Sequence, residues 1–431
     1  MWRRIAAVVI TGFLLTGLGG ALGAAPAAPV DGAPGELAYD RPDPVARGVA
    51  QLQRRLADVP GDWAAWAALG TAYVEQARRT GDPGYYPRAQ GALDRSRQVR
   101  ADNDAALVGL GALANARHDF GQAERLARQA LSANPWSADA YGVLADALTQ
   151  LGRPAEATTA VQRMLDLRPG LPALARAAYD LEQHGQVETA RELWTRALAA
   201  AVAPADVAFV RQQLGDLAWH AGDRTAAAEQ YRAGLAADPH LPALRLGLAR
   251  VDAGTGHTDA ALSAYADLAA AQPAPSLLVE YAQLLTAAGH PDAAREQLRL
   301  AGAALALLAA NGGGDELAAA EVALAIGDTE AAVAHARAEW RRRQHTDVAD
   351  LLGWALHRAG RSREALTYAR AANALGTRSA GYAYHLGMIE LALGDRAAAR
   401  RDLARALALN PHFSPVDAPA AARALTLAGA R

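Results

Sequence analysis

The 431-residue sequence has no cysteine, no lysine and only four phenylalanines. Without cysteine the chain can form no disulfide, thiolate nucleophile or cysteine-ligated metal site, and it offers no N-terminal thiol for a lipid. Its 43 basic residues, all arginine, and 45 acidic residues leave a net charge of −2. The basic field that nucleic-acid binding requires is therefore missing, and we expect no DNA or RNA partner.

Sequence motifs of enzymes and cofactor sites are missing as well. No nucleophile elbow, P-loop, dinucleotide fingerprint, H-E-x-x-H or EF-hand loop is present. The segment Gly376–Gly381 is one residue too long for an elbow, and His335 with Glu339 lacks a third metal ligand. His220 and Asp223 flank a turn between predicted helices, which explains them without catalysis. We therefore predict a protein that is not an enzyme and uses no cofactor and no metal.

Residues 1–27 have the layout of a secretory signal peptide. Two arginines precede an apolar run over residues 5–22, and the small residues that follow offer an A-x-A cleavage site at 25–27. An uncleaved membrane anchor is the alternative, because the run spans about 18 residues, although its glycines weaken it as a spanning helix. Residues 28–44, rich in Pro, Gly and Asp, predict a flexible tether. We expect an exported, secreted or envelope-associated protein.

A repeat of about 34 residues runs through most of the chain. Its clearest mark is an alanine that opens the second helix of each predicted unit. These alanines are Ala89, Ala123, Ala157, Ala190, Ala227, Ala261, Ala294, Ala332, Ala365 and Ala399. A second small residue, such as Gly215 or Gly353, precedes each alanine by about twelve residues in most units. Two small residues in every unit predict two helices whose backbones lie in close contact.

Between these two small residues most units carry a glycine, where the first helix needs a left-handed residue to end. These glycines are Gly152, Gly185, Gly222, Gly256, Gly289, Gly327, Gly360 and Gly394. Asp223, Asp328 and Asp395 follow such glycines directly and are predicted to cap the second helix. Each unit is therefore predicted to be a helical hairpin.

The residues Trp66, Leu69-Gly70 and Tyr73 of the first unit and the segment Gly121–Pro135 of the second resemble the tetratricopeptide repeat, whose signature runs Trp, Leu-Gly, Tyr, Ala, Phe, Ala, Pro. The resemblance implies an all-α fold, a right-handed α-solenoid (superhelix) of about ten TPR helical hairpins.

The resemblance also suggests how the chain is divided. The repeat array occupies residues 61–412, with a joint near 302–314 where glycines interrupt the pattern. A capping helix at 45–60 precedes the array, and a tail or capping helix at 413–431 follows it, as solenoid ends require.

The resemblance implies a protein-protein interaction scaffold that binds a protein or peptide along its concave groove, which the first helix of each pair lines. The residues predicted on that face are Phe209, Gln212, Asp216, Trp219, Arg250, Gln283, Asp350, Trp354, His357 and Tyr384. The spacing i, i+3, i+7, i+10 from Phe209 to Trp219 predicts one stripe along a helix, and the same spacing from Asp347 to His357 predicts a second stripe. Aromatic anchors beside amides and charges suit recognition of an extended segment or a helix. The alternative is that these rings only pack between units.

Three further expectations concern the kind of partner and the kind of protein. Some tetratricopeptide proteins hold a peptide carboxylate with a clamp based on Lys and Asn, and a chain without lysine disfavours that ligand class. A membrane-anchored assembly factor is the alternative function within the interaction class. An enzyme acting on cell-envelope polymers, with inner-face His and Asp residues as acid and base, is the alternative from a different class.

Overall fold

The computed structural model describes residues 44–80, 82–239, 241–310 and 314–429. Over these ranges the chain forms 22 α-helices and no strand, which confirms the all-α repeat fold. The predicted signal peptide and nearly all of the tether lie outside the described residues, as do residues 311–313 of the predicted joint. No helix in the described ranges is long and apolar enough to cross a bilayer.

The helices follow one another with short connections. In chain order they are α1 (Pro44–Asp58), α2 (Trp63–Thr80), α3 (Tyr85–Val99), α4 (Asp104–Ala116), α5 (Phe120–Ala133), α6 (Ala138–Gln150), α7 (Pro154–Leu167), α8 (Leu171–Gln183), α9 (Val187–Ala200), α10 (Pro204–His220), α11 (Arg224–Ala237), α12 (Pro242–Gly254), α13 (Thr258–Ala271), α14 (Pro275–Ala287), α15 (Pro291–Ala310), α16 (Glu316–Ile326), α17 (Thr329–Arg342), α18 (Thr346–Arg358), α19 (Ser362–Asn373), α20 (Ala380–Ala392), α21 (Arg396–Leu409) and α22 (Asp417–Gly429).

Helices α2 to α21 pack as ten successive pairs, which we number units 1 to 10, so that unit 1 is α2–α3 and unit 10 is α20–α21. Each first helix also contacts the first helix of the next unit in most of the array. Helix α1 packs against α2, and α22 packs against α21 and α20. The pairs therefore stack side by side, as in a solenoid.

The predicted turn chemistry is confirmed. All eight glycines predicted to end first helices have positive φ angles, between 71° and 86°. Asp223, Asp328 and Asp395 cap the helices that follow, each accepting a backbone N–H at 3.0 Å. These carboxylates satisfy amides that the first helical turn leaves without partners.

The two small residues of each unit lie at the helix contact, as predicted. Each of the ten alanines that open second helices is at most 4 % exposed. A Cβ added at Gly353 would lie 3.0 Å from the backbone nitrogen of Ala369, so α18 and α19 meet backbone to backbone. At Gly215 the same atom would overlap the ring of Tyr231. The spacing of small residues therefore sets how closely the helices approach.

The described chain also closes on itself through contacts between distant units. Gln344, after α17, donates its backbone N–H to the carbonyl of Gln150 at the end of α6, at 3.0 Å. One unit further along, the Thr377 hydroxyl donates to the carbonyl of Gln183 at the end of α8, at 2.7 Å. In both cases the end of a first helix meets the segment that follows a second helix.

The same pairing recurs a third time, where the Asn410 amide after α21 donates to the carbonyl of Trp219 near the end of α10, at 2.8 Å. We call this row of contacts between units 3–5 and units 8–10 the seam. The partners are 191 to 194 positions apart. Because three successive units meet three successive units, the seam joins adjacent turns of the superhelix.

Candidate functional site

Beside the seam lies a partly open cavity of about 1070 Å³, which we call the lumen. One wall is formed by the first helices of units 4 to 7, namely α8, α10, α12 and α14. The opposite wall is formed by residues 345–347, 377–382 and 407–422 of the C-terminal units. The concave face that the sequence predicts as open is therefore covered, over units 4 to 7, by the chain itself.

Four of the predicted site residues share this lumen: Asp216, Trp219, Arg250 and Gln283 line its wall. They come from α10, α12 and α14, and each lies near the end of its helix. The Trp219 side chain is only 7 % exposed and lies over Gly254, where any added side chain would crowd the ring. Trp219 is therefore packed by its own chain rather than presented on an open groove.

The other two predicted residues of α10 do not reach the lumen. Phe209 packs edge-on against Trp194, with ring centroids 5.9 Å apart, and belongs to the core between units 4 and 5. Gln212 donates to the Asp216 carboxylate at 3.3 Å. The predicted stripe thus runs from the core at its N-terminal end into the lumen at its C-terminal end.

Two carboxylates stand out on the α8 and α10 wall. Glu182 accepts the indole N–H of the fully buried Trp194 at 2.6 Å, and Asp216 accepts the hydroxyl of the fully buried Tyr231 at 2.8 Å. Burial, together with the nearby charge of Asp216, raises the pKa of Glu182 to about 7. Partial desolvation at the lumen wall lowers the pKa of the neighbouring His220, which is nonetheless exposed, against the opposing charge of Asp216.

The third carboxylate of this wall is neutralised within the chain. Glu280 receives two hydrogen bonds from Arg250, at 2.6 and 2.8 Å, and a third from the Tyr265 hydroxyl at 2.5 Å. Burial opposes the charge of Glu280, but the Arg250 guanidinium outweighs it and the pKa of Glu280 is lowered. The pair therefore stays ionised at neutral pH and fixes α12 against α14.

The opposite wall contributes a hydrogen-bonded chain across the seam. The His345 ring lies 3.3 Å from the Tyr179 hydroxyl through Nε2 and 2.6 Å from Asp347 through Nδ1. Arg343 also contacts Asp347, at 3.2 Å. Burial raises the pKa of the Tyr179 phenol, while His345 and Arg343 overcome the effect of burial on Asp347 and lower its pKa. This chain links α8 to the start of α18.

The remaining predicted residues form a separate cluster in units 9 and 10. The Trp354 ring stacks on His385 at 4.2 Å and lies 5.1 Å from His357 and 5.6 Å from Tyr384. Asp350 binds His385 at 2.8 Å, and this carboxylate outweighs burial and raises the pKa of the imidazole. Tyr384 and Asp350 are both buried.

This second cluster touches the lumen through Phe413, whose ring centroid lies 5.7 Å from that of Tyr384 and which lines the cavity. The two predicted stripes are thus not one continuous surface.

Sequence reasoning missed the residues that close the lumen. Tyr179, Glu182, His345 and Asn410 were not among the predicted site residues, although all four line it. Glu182 lies on α8 three residues before the turn glycine Gly185, as Trp219 lies three residues before Gly222, so mapping the inner face of unit 4 would have found it. No local signal could have found His345 or Asn410, because their partners are supplied by units elsewhere in the chain.

Models of the tetratricopeptide repeat match residues 114–181, 175–242 and 380–413. The chain contains tetratricopeptide repeats. These matches fall on units 2 to 5 and unit 10, and the confirmed spacing of small residues carries the same hairpin through the units between them. No curated protein matches the sequence.

Solved structures with the same kind of fold include the human IFIT1 dimer with m7Gppp-AAAA, which is 16% identical over 76% of this chain and 77% of that chain, with a TM-score of 0.50. Yeast Tom70 is 14% identical over 82% of this chain and 86% of its own, with a TM-score of 0.44. A tetratricopeptide protein of Thermus thermophilus is 18% identical over 42% of this chain and 98% of its own, with a TM-score of 0.37. At these identities the likeness concerns the fold alone.

Proposed function

We propose that this tetratricopeptide protein is a non-catalytic interaction scaffold that holds a short segment of a protein partner in its lumen. The observation that carries the proposal is the convergence of Asp216, Trp219, Arg250 and Gln283, from three consecutive units, on one cavity. This wall combines the edge of an aromatic ring with an amide and charged groups. A specific ligand site needs such a combination of apolar surface and a few oriented polar groups.

The size of the lumen limits what can enter. Its volume of about 1070 Å³ is slightly above that of ordinary ligand pockets, which measure about 300–1,000 Å³. Because the seam covers the concave face, a terminus or a short loop of the partner fits better than a long helix lying in an open groove. The tetratricopeptide array then holds its ligand in a confined, partly open cavity rather than along an extended groove.

The charges of the lumen favour a protein ligand over a nucleic acid. Its wall carries four carboxylates and two arginines, Arg250 and Arg378. Arg250 is bound by Glu280 and Arg378 contacts Glu188 at 3.3 Å. The human IFIT1 structure contains m7Gppp-AAAA, but phosphate groups require cations that are free to neutralise them. We therefore infer from that structure only a similar fold, and no similar ligand, for this chain.

Site-specific photocrosslinking tests the proposal. A photoreactive phenylalanine replacing Gln283, in the lumen, should crosslink a partner in the native extract. The matched control replaces Glu192, which is exposed on the outer helix α9. Crosslinks from the outer position alone, or equal crosslinks from both, would contradict a lumenal site.

Export is the second part of the proposal, supported by the signal-like layout of residues 1–27. Fractionation should recover the chain outside the cytoplasm, shortened by about 25–28 residues if cleavage follows the A-x-A site. Full-length chain in the membrane fraction would instead favour the anchored assembly factor, and cytoplasmic full-length chain would contradict export.

Catalysis is the second candidate function, because Tyr179, His345 and Asp347 form a hydrogen-bonded relay at the lumen wall. A nucleophile must be activated, however, and burial raises the pKa of the Tyr179 phenol. Arg343 also shares the Asp347 carboxylate. We therefore favour a role for this relay in holding the seam. Hydrolysis of envelope polymers by the wild type, abolished in Tyr179→Phe, would reverse this preference.

A further inference from the structure

Hydrogen bonds from buried rings hold the Glu182 and Asp216 carboxylates in place. Each accepts a hydrogen bond from a ring with no exposed surface, the indole of Trp194 at 2.6 Å and the phenol of Tyr231 at 2.8 Å. These donors belong to the second helices of units 4 and 5, whereas the carboxylates belong to the first helices. The two acidic groups are thus oriented toward the lumen before any ligand arrives.

Within the described ranges, no arginine or histidine forms an ion pair with either carboxylate. Arg250 acts on Asp216 from a distance but is committed to Glu280 by two hydrogen bonds. His220, one helical turn beyond Asp216, is exposed and forms no ion pair with it, and partial desolvation lowers the pKa of its imidazole. Burial and the charge of Asp216 also raise the pKa of Glu182 to about 7, as expected of a carboxylate that lacks a counter-cation.

The chain itself shows how this wall binds a cation. Further along the lumen, Glu280 combines a carboxylate with the Tyr265 hydroxyl and receives the Arg250 guanidinium in a bidentate contact. Asp216 repeats the carboxylate-tyrosine part of that arrangement with Tyr231 but has no guanidinium. A guanidinium or ammonium group from a ligand would complete the same set of contacts at Asp216.

A neighbouring amide indicates that the ligand is a peptide. Gln213 lines the lumen one turn before Asp216, is 4 % exposed, and its side-chain nitrogen has no hydrogen-bond partner among the described residues. A buried donor without a partner costs free energy until an acceptor is supplied. That nitrogen is covered in the unliganded chain, so the Gln213 amide must turn toward the lumen to donate to a backbone carbonyl of a bound segment; a bare metal ion supplies no such acceptor.

We infer that the lumen selects a polypeptide segment carrying an arginine or lysine, with the cation at Glu182 and Asp216 and a backbone carbonyl at Gln213. This inference rests on the proposed function, because it names the chemistry of the segment that the scaffold holds.

Peptide selection from a random heptapeptide phage library against the whole chain tests the inference. Wild-type protein should enrich sequences that contain arginine or lysine. The double variant Glu182→Gln, Asp216→Asn keeps the shape of both side chains and should lose that enrichment. Glu229→Gln, Asp259→Asn removes two exposed carboxylates and is the matched control, which should enrich the same sequences as wild type.

A selected peptide is then compared with a copy in which citrulline replaces arginine, using wild-type protein, so that the outcome does not depend on the folding of a variant. We expect binding to weaken about tenfold or more without the charge. Enrichment of peptides without a cation, or equal affinity of the citrulline copy, would overturn the inference and leave the proposed peptide-binding function standing. Enrichment of no peptide at all would overturn both.

Discussion

Arg343 donates a hydrogen bond to the side-chain carbonyl of Gln150 across 2.7 Å, although the two residues are 193 positions apart. Both side chains are buried, and the same guanidinium binds Glu339 at 2.5 Å and Asp347 at 3.2 Å. One arginine therefore satisfies two carboxylates of units 8 and 9 and anchors them to unit 3. This contact is the polar centre of the seam.

Replacing Arg343 by Met should lower the free energy of unfolding by about 3 kcal/mol, because buried Glu339 would keep only its longer contact to the largely exposed Arg342, at 3.4 Å. Arg341, exposed two residues earlier, offers the matched substitution Arg341→Met, with an expected effect within about 0.5 kcal/mol. Denaturant unfolding followed by circular dichroism measures both. Equal stability of the two variants would show that Arg343 does not hold the seam.

Gly185→Ala should open the seam, whereas Gly256→Ala should not. Both glycines have positive φ angles, 71° and 85°. A left-handed backbone conformation costs alanine about 1–2 kcal/mol, so both variants should lose about that much stability. Only at Gly185 would the new Cβ overlap the backbone carbonyl of Gly376, because nothing lies within 4 Å at Gly256. Small-angle scattering should show a larger radius of gyration for Gly185→Ala alone. Identical profiles would argue against a closed superhelix in solution.

Trp219→Ala should destabilise the fold by about 3–5 kcal/mol, as expected for deletion of a buried indole. The control is Trp136→Ala, since Trp136 is 70 % exposed and Trp219 only 7 %. The melting temperature should therefore fall much further in Trp219→Ala than in Trp136→Ala. If Trp219→Ala melts like wild type but no longer binds its partner, then Trp219 is an exposed anchor for the partner and not part of the core.

Glu321 should make stability fall as pH rises from about 4.5 to 7. Burial raises its pKa to about 7, so the folded state holds a proton in this range that the unfolded chain, near its ordinary value of 4.5, has already released. Glu321→Gln mimics the protonated form and should remove about 2 kcal/mol of that fall.

The measurement for Glu321 is denaturant unfolding of both proteins at pH 5 and pH 7.5. Ser276 donates a hydrogen bond to Glu321 at 2.7 Å and keeps an acceptor in the Gln variant. The two proteins therefore differ in the charge at position 321 and not in this hydrogen bond. A pH dependence unchanged by the substitution would contradict the assignment.

The two predicted stripes show where prediction from sequence stops. Spacing correctly placed Asp216 and Trp219 on the inner face of α10, because helical periodicity is a local property. It could not show that residues beyond Leu409 cover that face and bury Trp219. It also treated Asp350 and Trp354 as a repetition of the first stripe, whereas they belong to a separate aromatic cluster around His385.

The sequence by itself determined the hairpins. Turn glycines, capping aspartates and small residues at helix contacts act within about 34 residues, and their recurrence reveals them in a single chain. Only the tertiary structure decided that the superhelix closes. That outcome depends on small rotations between neighbouring units, which add up until Gln150 meets Arg343 and Trp219 meets Asn410. No single repeat encodes the sum, so the lumen and its unpaired carboxylates become visible only once the units are assembled.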